Sequence, residues 1–310
     1  MTNLDNQTPL RFIDLFAGIG GTRLAFESAG FQCVFGSEWD TYSRRTYLAN
    51  FGELPAGDIT KVTSNEIPHF DVLVGGFPCQ PFSSVGLRQG FGHKTQGTLF
   101  YEIERILRDK RPVAFLLENV KGLLTHNRGE TWKIICESLS SLGYFFEAKV
   151  QNSKFFGVPQ SRERLFIVGF LSQRDLGRFS FPEESGEVPD IGDFLEDAPS
   201  GYEISKHLQA SYLFKVDDGR PQIVNGSSKG PAKTLVASYH KIQRLTGTFV
   251  EEGATGLRLL SESECKAIMG FPKEFKVPVS RTQMYRQFGN SVVVPHVREL
   301  ARSIYNALEV

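Results

Sequence analysis

Gly76-Phe77-Pro78-Cys79-Gln80 sets a thiol directly after a proline, just past the apolar run Asp71-Val72-Leu73-Val74. Burial in a core is the commoner fate of a cysteine. Cys79, however, lies outside the apolar run, and Ser83 to Gln96 follows it as a long loop without periodicity. Long structureless loops inside compact domains are often lids. A thiol at a lid's hinge is a candidate nucleophile. Its ordinary pKa of about 8.5 leaves only a few per cent thiolate at neutral pH, so a cation or a helix end must assist it.

Two further segments offer partners for such chemistry. Glu118-Asn119-Val120 puts a carboxylate just past the apolar run Val113-Ala114-Phe115-Leu116-Leu117. Alone it reads as an exposed strand-end acid. Partly buried, a glutamate can stay protonated near neutrality and donate a proton to a ring nitrogen. Gln160-Ser161-Arg162-Glu163-Arg164 precedes Leu165 to Phe170, and strand alternation puts Arg162 and Arg164 on one face. That pair is either a solvated charged edge or a cationic site for an anionic intermediate or a phosphate.

Asp14-Leu15-Phe16-Ala17-Gly18-Ile19-Gly20-Gly21 joins a strand to a helix. Glycines there permit a tight turn and close approach of a ligand to the backbone. A dinucleotide site requires Gly-x-Gly-x-x-Gly, but Arg23 occupies the third glycine position, so the turn suits an adenosine ligand without a pyrophosphate. Glu38 ends the next strand, where it can accept from ribose hydroxyls. Trp39 beside it can stack on adenine, and Asp58 can accept from the adenine amino group. Singly, Glu38 and Asp58 read as surface carboxylates; together with Trp39 they favour a nucleoside.

These residues need a rigid frame. Leu10 to Phe16, Phe31 to Ser37, Asp71 to Val74, Val113 to Leu117, Tyr144 to Val150 and Leu165 to Phe170 read as strands. Helices are expected at Thr22 to Ala29, from a cap at Asp40 towards Asn50, and at Gly97 to Lys110, with Leu99, Ile103, Ile106 and Leu107 on one face. This alternation specifies an α/β fold, a doubly wound, mostly parallel sheet with helices on both faces. Ligands bind beyond the carboxyl ends of such strands, where each motif is expected to fall. From about Gln173 the rhythm breaks. It resumes at Ser261 to Met269, with Ser261 and Glu264 as a capping box, and at Val292 to Leu308, which is expected to pack back onto the large domain.

Bulk properties fit an enzyme of ordinary type. The 310 residues are 40% hydrophobic and 23% charged, and no apolar run reaches the roughly 20 residues of a membrane span. The polar stretch Met1 to Pro9 does not read as a signal peptide. Cys33, Cys79, Cys136 and Cys265 are widely spaced without a Cys-x-x-Cys pair, which argues against zinc and against a disulfide framework. A reducing cytoplasm is expected, with no metal, no membrane and a monomeric chain. Net charge is zero, but residues 173 to 200 hold eight acids against two bases and residues 210 to 250 six bases against two acids. A local basic face for phosphate is therefore compatible with a neutral total.

In order and spacing these motifs resemble the cytosine-C5 DNA methyltransferase family, of the bacterial restriction–modification type. Arg258-Leu259-Leu260-Ser261, Met269-Gly270-Phe271-Pro272 and Gln287-Phe288-Gly289-Asn290-Ser291-Val292 extend the likeness, which covers residues 10 to 171 and 256 to 310. The resemblance implies a class I, Rossmann-like catalytic domain over 1–174 and 283–310, with a smaller target-recognition domain and hinge over 175–282. It implies S-adenosylmethionine as cofactor, held by Phe16, Ala17, Gly18, Ile19, Gly20, Gly21, Glu38, Trp39, Asp58, Ile59, Pro78, Asn290, Ser291 and Val292. Lys233-Thr234-Leu235-Val236 looks like the short signature found in the recognition region.

The implied substrate is duplex DNA, from which a cytosine is flipped out at a cost of a few kcal/mol. Ser83, Arg88, Lys94, Arg162 and Thr234 are the candidate DNA contacts, with Ser83 to Gln96 closing as a lid. Cytosine C5 is a poor nucleophile, so a soft thiolate at Cys79 adding to C6 must first make the ring electron-rich. Charge then develops towards N3, next to Glu118, and O2, next to Arg164. A tRNA cytosine-C5 methyltransferase is the nearest rival. That family carries Cys-Phe-Thr in the recognition region, whereas no cysteine occurs here between Cys136 and Cys265. A nucleoside-binding protein without catalysis is a second rival, against which the intact set Cys79, Glu118 and Arg164 counts.

Overall fold

The computed structural model describes residues 9–77 and 99–309. Pro78, Cys79, Ser83, Arg88 and Lys94, and with them the expected lid, lie outside the described residues.

Six strands form the central sheet: β1 (Arg11–Leu15), β2 (Gln32–Ser37), β3 (Val72–Gly76), β4 (Ala114–Val120), β5 (Phe145–Asn152) and β6 (Glu163–Phe170), in the order β2-β1-β3-β4-β6-β5. The first four pair in parallel, whereas β6 runs antiparallel to both β4 and β5. The mostly parallel expectation therefore holds, with β6 as the reversal. Connections explain it. β5 and β6 are joined by the short segment 153–162, which carries one turn at Ser153–Phe155, and a parallel pairing needs a crossover of a dozen or more residues.

Alternation along the strands divides two apolar faces. Phe12, Val72, Val74, Leu116, Phe166 and Val168 point to one, and Ile13, Leu15, Leu73, Phe115, Leu117 and Ile167 to the other. Helices α1 (Gly21–Ser28) and α2 (Thr41–Phe51) follow β1 and β2, and the Asp40 carboxylate caps α2 through Ser43 N at 2.8 Å. Helix α3 (Phe100–Lys110) buries Phe100, Ile103, Ile106 and Leu107. Helix α4 (Glu130–Ser141) was not expected: its buried positions, Thr131, Ile135 and Leu139, form a stripe too narrow to stand out in the pattern.

The later chain supplies α5 (Glu262–Met269), α6 (Arg281–Asn290) and α7 (Val294–Leu308), with a short parallel pair Gln222–Val224 and Thr248–Val250 between. The capping box of Ser261 and Glu264 is present at α5. Helix α7 buries Val297, Leu300, Ala301 and Ile304 and returns to the sheet beside α1, with Tyr305 edge-on to Phe31 at 5.3 Å. One apolar cluster runs from Phe12 and Phe166 through Phe179, Leu235, Tyr239, Phe249 and Ile268 to Ile304. The middle segment and the sheet thus share a core.

His296 on α7 is enclosed in that core, stacked on Phe156 at 3.8 Å with Nδ1 3.0 Å from Ser153 Oγ. Burial pushes its pKa down from 6.5 to about 3. Above pH 6.5 the ring is neutral in both folded and unfolded chains. Between 6.5 and 3 only the unfolded chain takes up the proton, so stability falls with pH by up to about 1.4 kcal/mol per unit from this group. His296→Asn should therefore show a shallower loss of urea stability than wild type between pH 7 and 5.5. Equal slopes would show that the ring does not resist protonation.

Candidate active site

The glycine-rich turn follows β1 and is held open by unusual backbone. Phe16 has φ 59°, Gly18 55° and Gly20 88°. A left-handed conformation is uncommon for a residue as bulky as phenylalanine and concentrates at functional turns. No described residue lies within 4 Å of where a side chain on Gly18 would project, whereas a methyl on Gly20 would overlap the Phe51 ring. Gly21 packs closely too: a methyl there would come 2.7 Å from Ser291 Oγ and 3.0 Å from Phe271. The late motifs containing Phe271 and Ser291 thus close onto the first turn.

Glu38, at the end of β2, braces the same turn. Its Oε2 accepts from Gly18 N at 2.8 Å and its Oε1 from Asp40 N at 2.7 Å. Burial raises its pKa, while those backbone N–H groups oppose the rise. Trp39 next to it is 74% exposed, so its ring is free to be covered by a ligand. Asp58 has a local duty that patterning did not reveal: Oδ1 caps the turn Ile59–Lys61, accepting from Thr60 N at 3.1 Å and Thr60 Oγ1 at 2.8 Å. Ile59 is buried and Asn290 exposed at the end of α6. Asp14 lies beneath the turn, fully buried with Oδ2 unpartnered among the described residues, and burial raises its carboxyl pKa well above the usual range.

At the carboxyl edge of β3 and β4 a second group assembles. Glu118 Oε1 and Arg164 Nε form an ion pair of 2.9 Å, with side chains 18% and 15% exposed. Gly76 lies alongside, and a methyl on it would stand 3.4 Å from Glu118 Oε2. Asn119 Nδ2 donates to Phe77 O at 2.8 Å, both buried, and so fixes the chain two residues before Cys79. A small cavity lined by Thr22, Gly75, Gly76, Glu118, Val292 and Val297 links this edge to the glycine-rich turn. Arg164 sits at the amino end of its strand, contrary to the expectation of carboxyl ends throughout. The reversal of β6 carries that end to the same edge.

Arg162 is a correction. Expected at a phosphate, it is 2% exposed, and its guanidinium donates to Leu235 O, Gly289 O and Ser291 O at 3.0, 3.0 and 2.7 Å. Burial first, and then the neighbouring Arg164 charge, pull its pKa down to about 9, with Glu118 opposing. A side chain so enclosed cannot reach DNA. Thr234, the other described DNA candidate, is half-buried and already donates its hydroxyl proton to Ser161 O at 2.6 Å. Sequence patterning also missed Gln160, whose buried amide accepts from Leu235 N at 2.8 Å and donates to Ile268 O at 2.9 Å. Among the described residues no cluster of His, Cys, Asp and Glu could hold a metal, and no helix is long and apolar enough to cross a membrane.

The sheet with its reversed strand, and the glycine-rich turn at its edge, define an α/β methyltransferase fold. Solved structures share it: the Dnmt2 methyltransferase of S. pombe superposes with a TM-score of 0.78 at 23% identity, covering 97% of this chain and 100% of that one. The Entamoeba histolytica methyltransferase EhMeth superposes at 0.79 with 20% identity, covering 98% and 100%. The model of C-5 cytosine-specific DNA methylases matches residues 10–306. Type II methyltransferase M.BsuFI of Bacillus subtilis is 58% identical over 96% of this chain and 73% of its own length; M.MspI of Moraxella sp is 55% identical over 96% and 71%. The chain belongs to the C-5 cytosine-specific DNA methylase family and is a DNA cytosine-5-methyltransferase of the bacterial restriction–modification type.

Removing the Asn119 amide would leave the buried Phe77 carbonyl without its donor. Asn119→Ala should cost about 1–3 kcal/mol in unfolding free energy. Single-turnover methylation should fall roughly 100-fold through misplacement of the neighbouring thiol. A variant with normal turnover would show that the start of the Pro78-Cys79 segment needs no anchor.

Proposed function

We propose that this enzyme methylates C5 of a cytosine flipped out of duplex DNA, through a transient bond between Cys79 and C6. The observation that carries the reading is the Glu118–Arg164 pair beside Gly76 and Phe77, two residues before the thiol. A thiolate adding to C6 pushes an electron pair towards N3 and O2. Glu118, once it has taken up a proton, donates it to N3 as the charge develops there, and Arg164 offers O2 a guanidinium at the same edge. The enriched C5 takes up the methyl group. Transfer of the C5 proton to a base such as water, with the C6–S bonding pair leaving on sulfur, then restores the ring and the thiolate.

The residues of the glycine-rich turn fit S-adenosylmethionine. Open space beside Gly18, the Glu38 carboxylate at the turn and the exposed Trp39 ring form a cradle in which Arg23 takes the third glycine position of the dinucleotide pattern. That cofactor, once bound, supplies the methyl group as a sulfonium. Glu38 accepts from ribose hydroxyls with the lone pairs its two N–H bonds leave free, and Asp58 Oδ2 is left for the adenine amino group. Phe16, Ala17, Ile19, Gly20, Gly21, Ile59, Asn290, Ser291 and Val292 complete the surround, and the family resemblance adds Pro78, which lies outside the described residues.

Residues 175–282 are read as the target-recognition region, with Thr234 near the DNA backbone and Ser83, Arg88 and Lys94 on the lid. A reducing cytoplasm fits the free thiols Cys33, Cys136 and Cys265, and the chain is read as acting as a monomer.

Cys79→Ser should abolish methylation while leaving S-adenosylhomocysteine affinity nearly unchanged in calorimetry; retained turnover would overturn the nucleophile. Duplex DNA with 5-fluorocytosine at the target should trap a covalent adduct at Cys79, because fluorine cannot leave as a proton does. An active preparation that forms no adduct would exclude addition and elimination.

A further inference from the structure

Arg162 joins two segments that the proposed reaction uses for different purposes. Its Nη1 holds Leu235 O, beside Thr234, and its Nη2 holds Gly289 O and Ser291 O. Its Nε–H is buried without a partner among the described residues, where the guanidinium bonds to these carbonyls alone. On the recognition side, Thr234 Oγ1 and Leu235 N are bonded to Ser161 O and Gln160 Oε1. On the cofactor side, Ser291 Oγ stands against Gly21 of the glycine-rich turn. Gly289 lies so close to Val236 and Ala237 that a methyl group there would overlap their backbone. The chain of contacts from Gly21 through Ser291 and Arg162 to Leu235 is therefore unbroken.

We propose that Arg162 is a positioning residue that couples cofactor binding at the glycine-rich turn to DNA binding through the Thr234-Leu235 segment. The inference rests on the proposed readings of that turn as the S-adenosylmethionine site and of the Thr234-Leu235 segment as part of the DNA face. A ligand that settles against Gly21 fixes Ser291, and the rigid fork transmits the position of Ser291 to Leu235. Arginine is required because a planar fork can hold carbonyls in two directions at once, whereas lysine is a point charge on a flexible stem. Coupling of this kind is reciprocal: each ligand tightens the other by the same factor.

The test first locates the methylated sequence by base-resolution mapping of DNA treated with the enzyme, then measures dissociation constants of wild type and Arg162→Lys for a duplex bearing it, with and without S-adenosylhomocysteine. In wild type the cofactor product should tighten DNA about fivefold or more, and DNA should tighten the cofactor product equally. In Arg162→Lys the factor should fall to within about twofold of one, with each ligand still binding alone. A merely structural role would lower the melting temperature and leave the factor intact. A retained factor in the folded variant, or none in wild type, overturns the proposal. Should the variant not fold, amide exchange decides: Leu235 N–H in wild type must slow on adding S-adenosylhomocysteine alone, and unchanged exchange overturns the link. Failure of S-adenosylhomocysteine to bind wild type would instead sink the cofactor site itself.

Discussion

The rest of the site depends on the direction of one strand. In register, β6 sets Phe166 opposite Glu118 and Arg164 opposite Val120, so Arg164 is the diagonal neighbour of Glu118 on the same face. A long side chain crosses that diagonal easily, and the ion pair closes at 2.9 Å. Were β6 parallel to β4, Arg164 would stand at the opposite edge, roughly 20 Å away at about 3.3 Å per residue. The short segment 153–162 enforces the reversal, because it leaves no room for a crossover helix. The pairs Gly76-Phe77, Glu118-Asn119 and Arg162/Arg164, each more than 40 residues from the next in sequence, thereby share one edge.

Concentrating charge at that edge has an energetic cost that the surroundings must offset. Two guanidiniums face one carboxylate there, and the Arg164 charge lowers the pKa of its buried neighbour Arg162. Carbonyls of Leu235, Gly289 and Ser291 stabilise the enclosed charge, in place of a second carboxylate. The edge is left with an excess of positive charge, suited to an anionic ring or a phosphate. A different solution operates below α5, where buried Arg258 meets Glu264 with two bonds of 2.8 Å and Glu252 with one of 2.6 Å. That network ties residues 196, 252, 258 and 261 together and stiffens the base on which the middle segment rests.

Much of this was legible in the sequence because strand ends announce themselves. Apolar runs at Asp71 to Val74 and Val113 to Leu117, each followed by glycine, proline or a carboxylate, located Gly76, Glu118 and Asn119 at one edge. The Asp40 cap and the Ser261–Glu264 box were readable from spacing alone. Helix α6 was not: Arg-Thr-Gln-Met-Tyr-Arg-Gln-Phe-Gly-Asn buries Met284, Tyr285 and Phe288 only because the middle segment lies against it. Arg162 illustrates the deeper limit. Alternation placed it correctly beside Arg164, but which face is solvent depends on residues 235 and 289, more than 70 positions away. A charged side chain does not show in its own neighbourhood that distant carbonyls will enclose it.

The Arg162 clasp grips main-chain carbonyls, which every amino acid provides. Its grip is therefore blind to the identity of the side chains between Leu235 and Gly289. Within that span, substitutions can accumulate on the outer surface while the two ends remain fastened to the catalytic edge. Gly289 is the exception, since its missing side chain is what admits the neighbouring backbone. On the proposed reading of this span as the part that recognises DNA, such an architecture separates heritable variation in what is read from the geometry of what is done. On that reading a lineage can alter its target piecemeal, one exposed residue at a time, without reassembling the chemistry beneath.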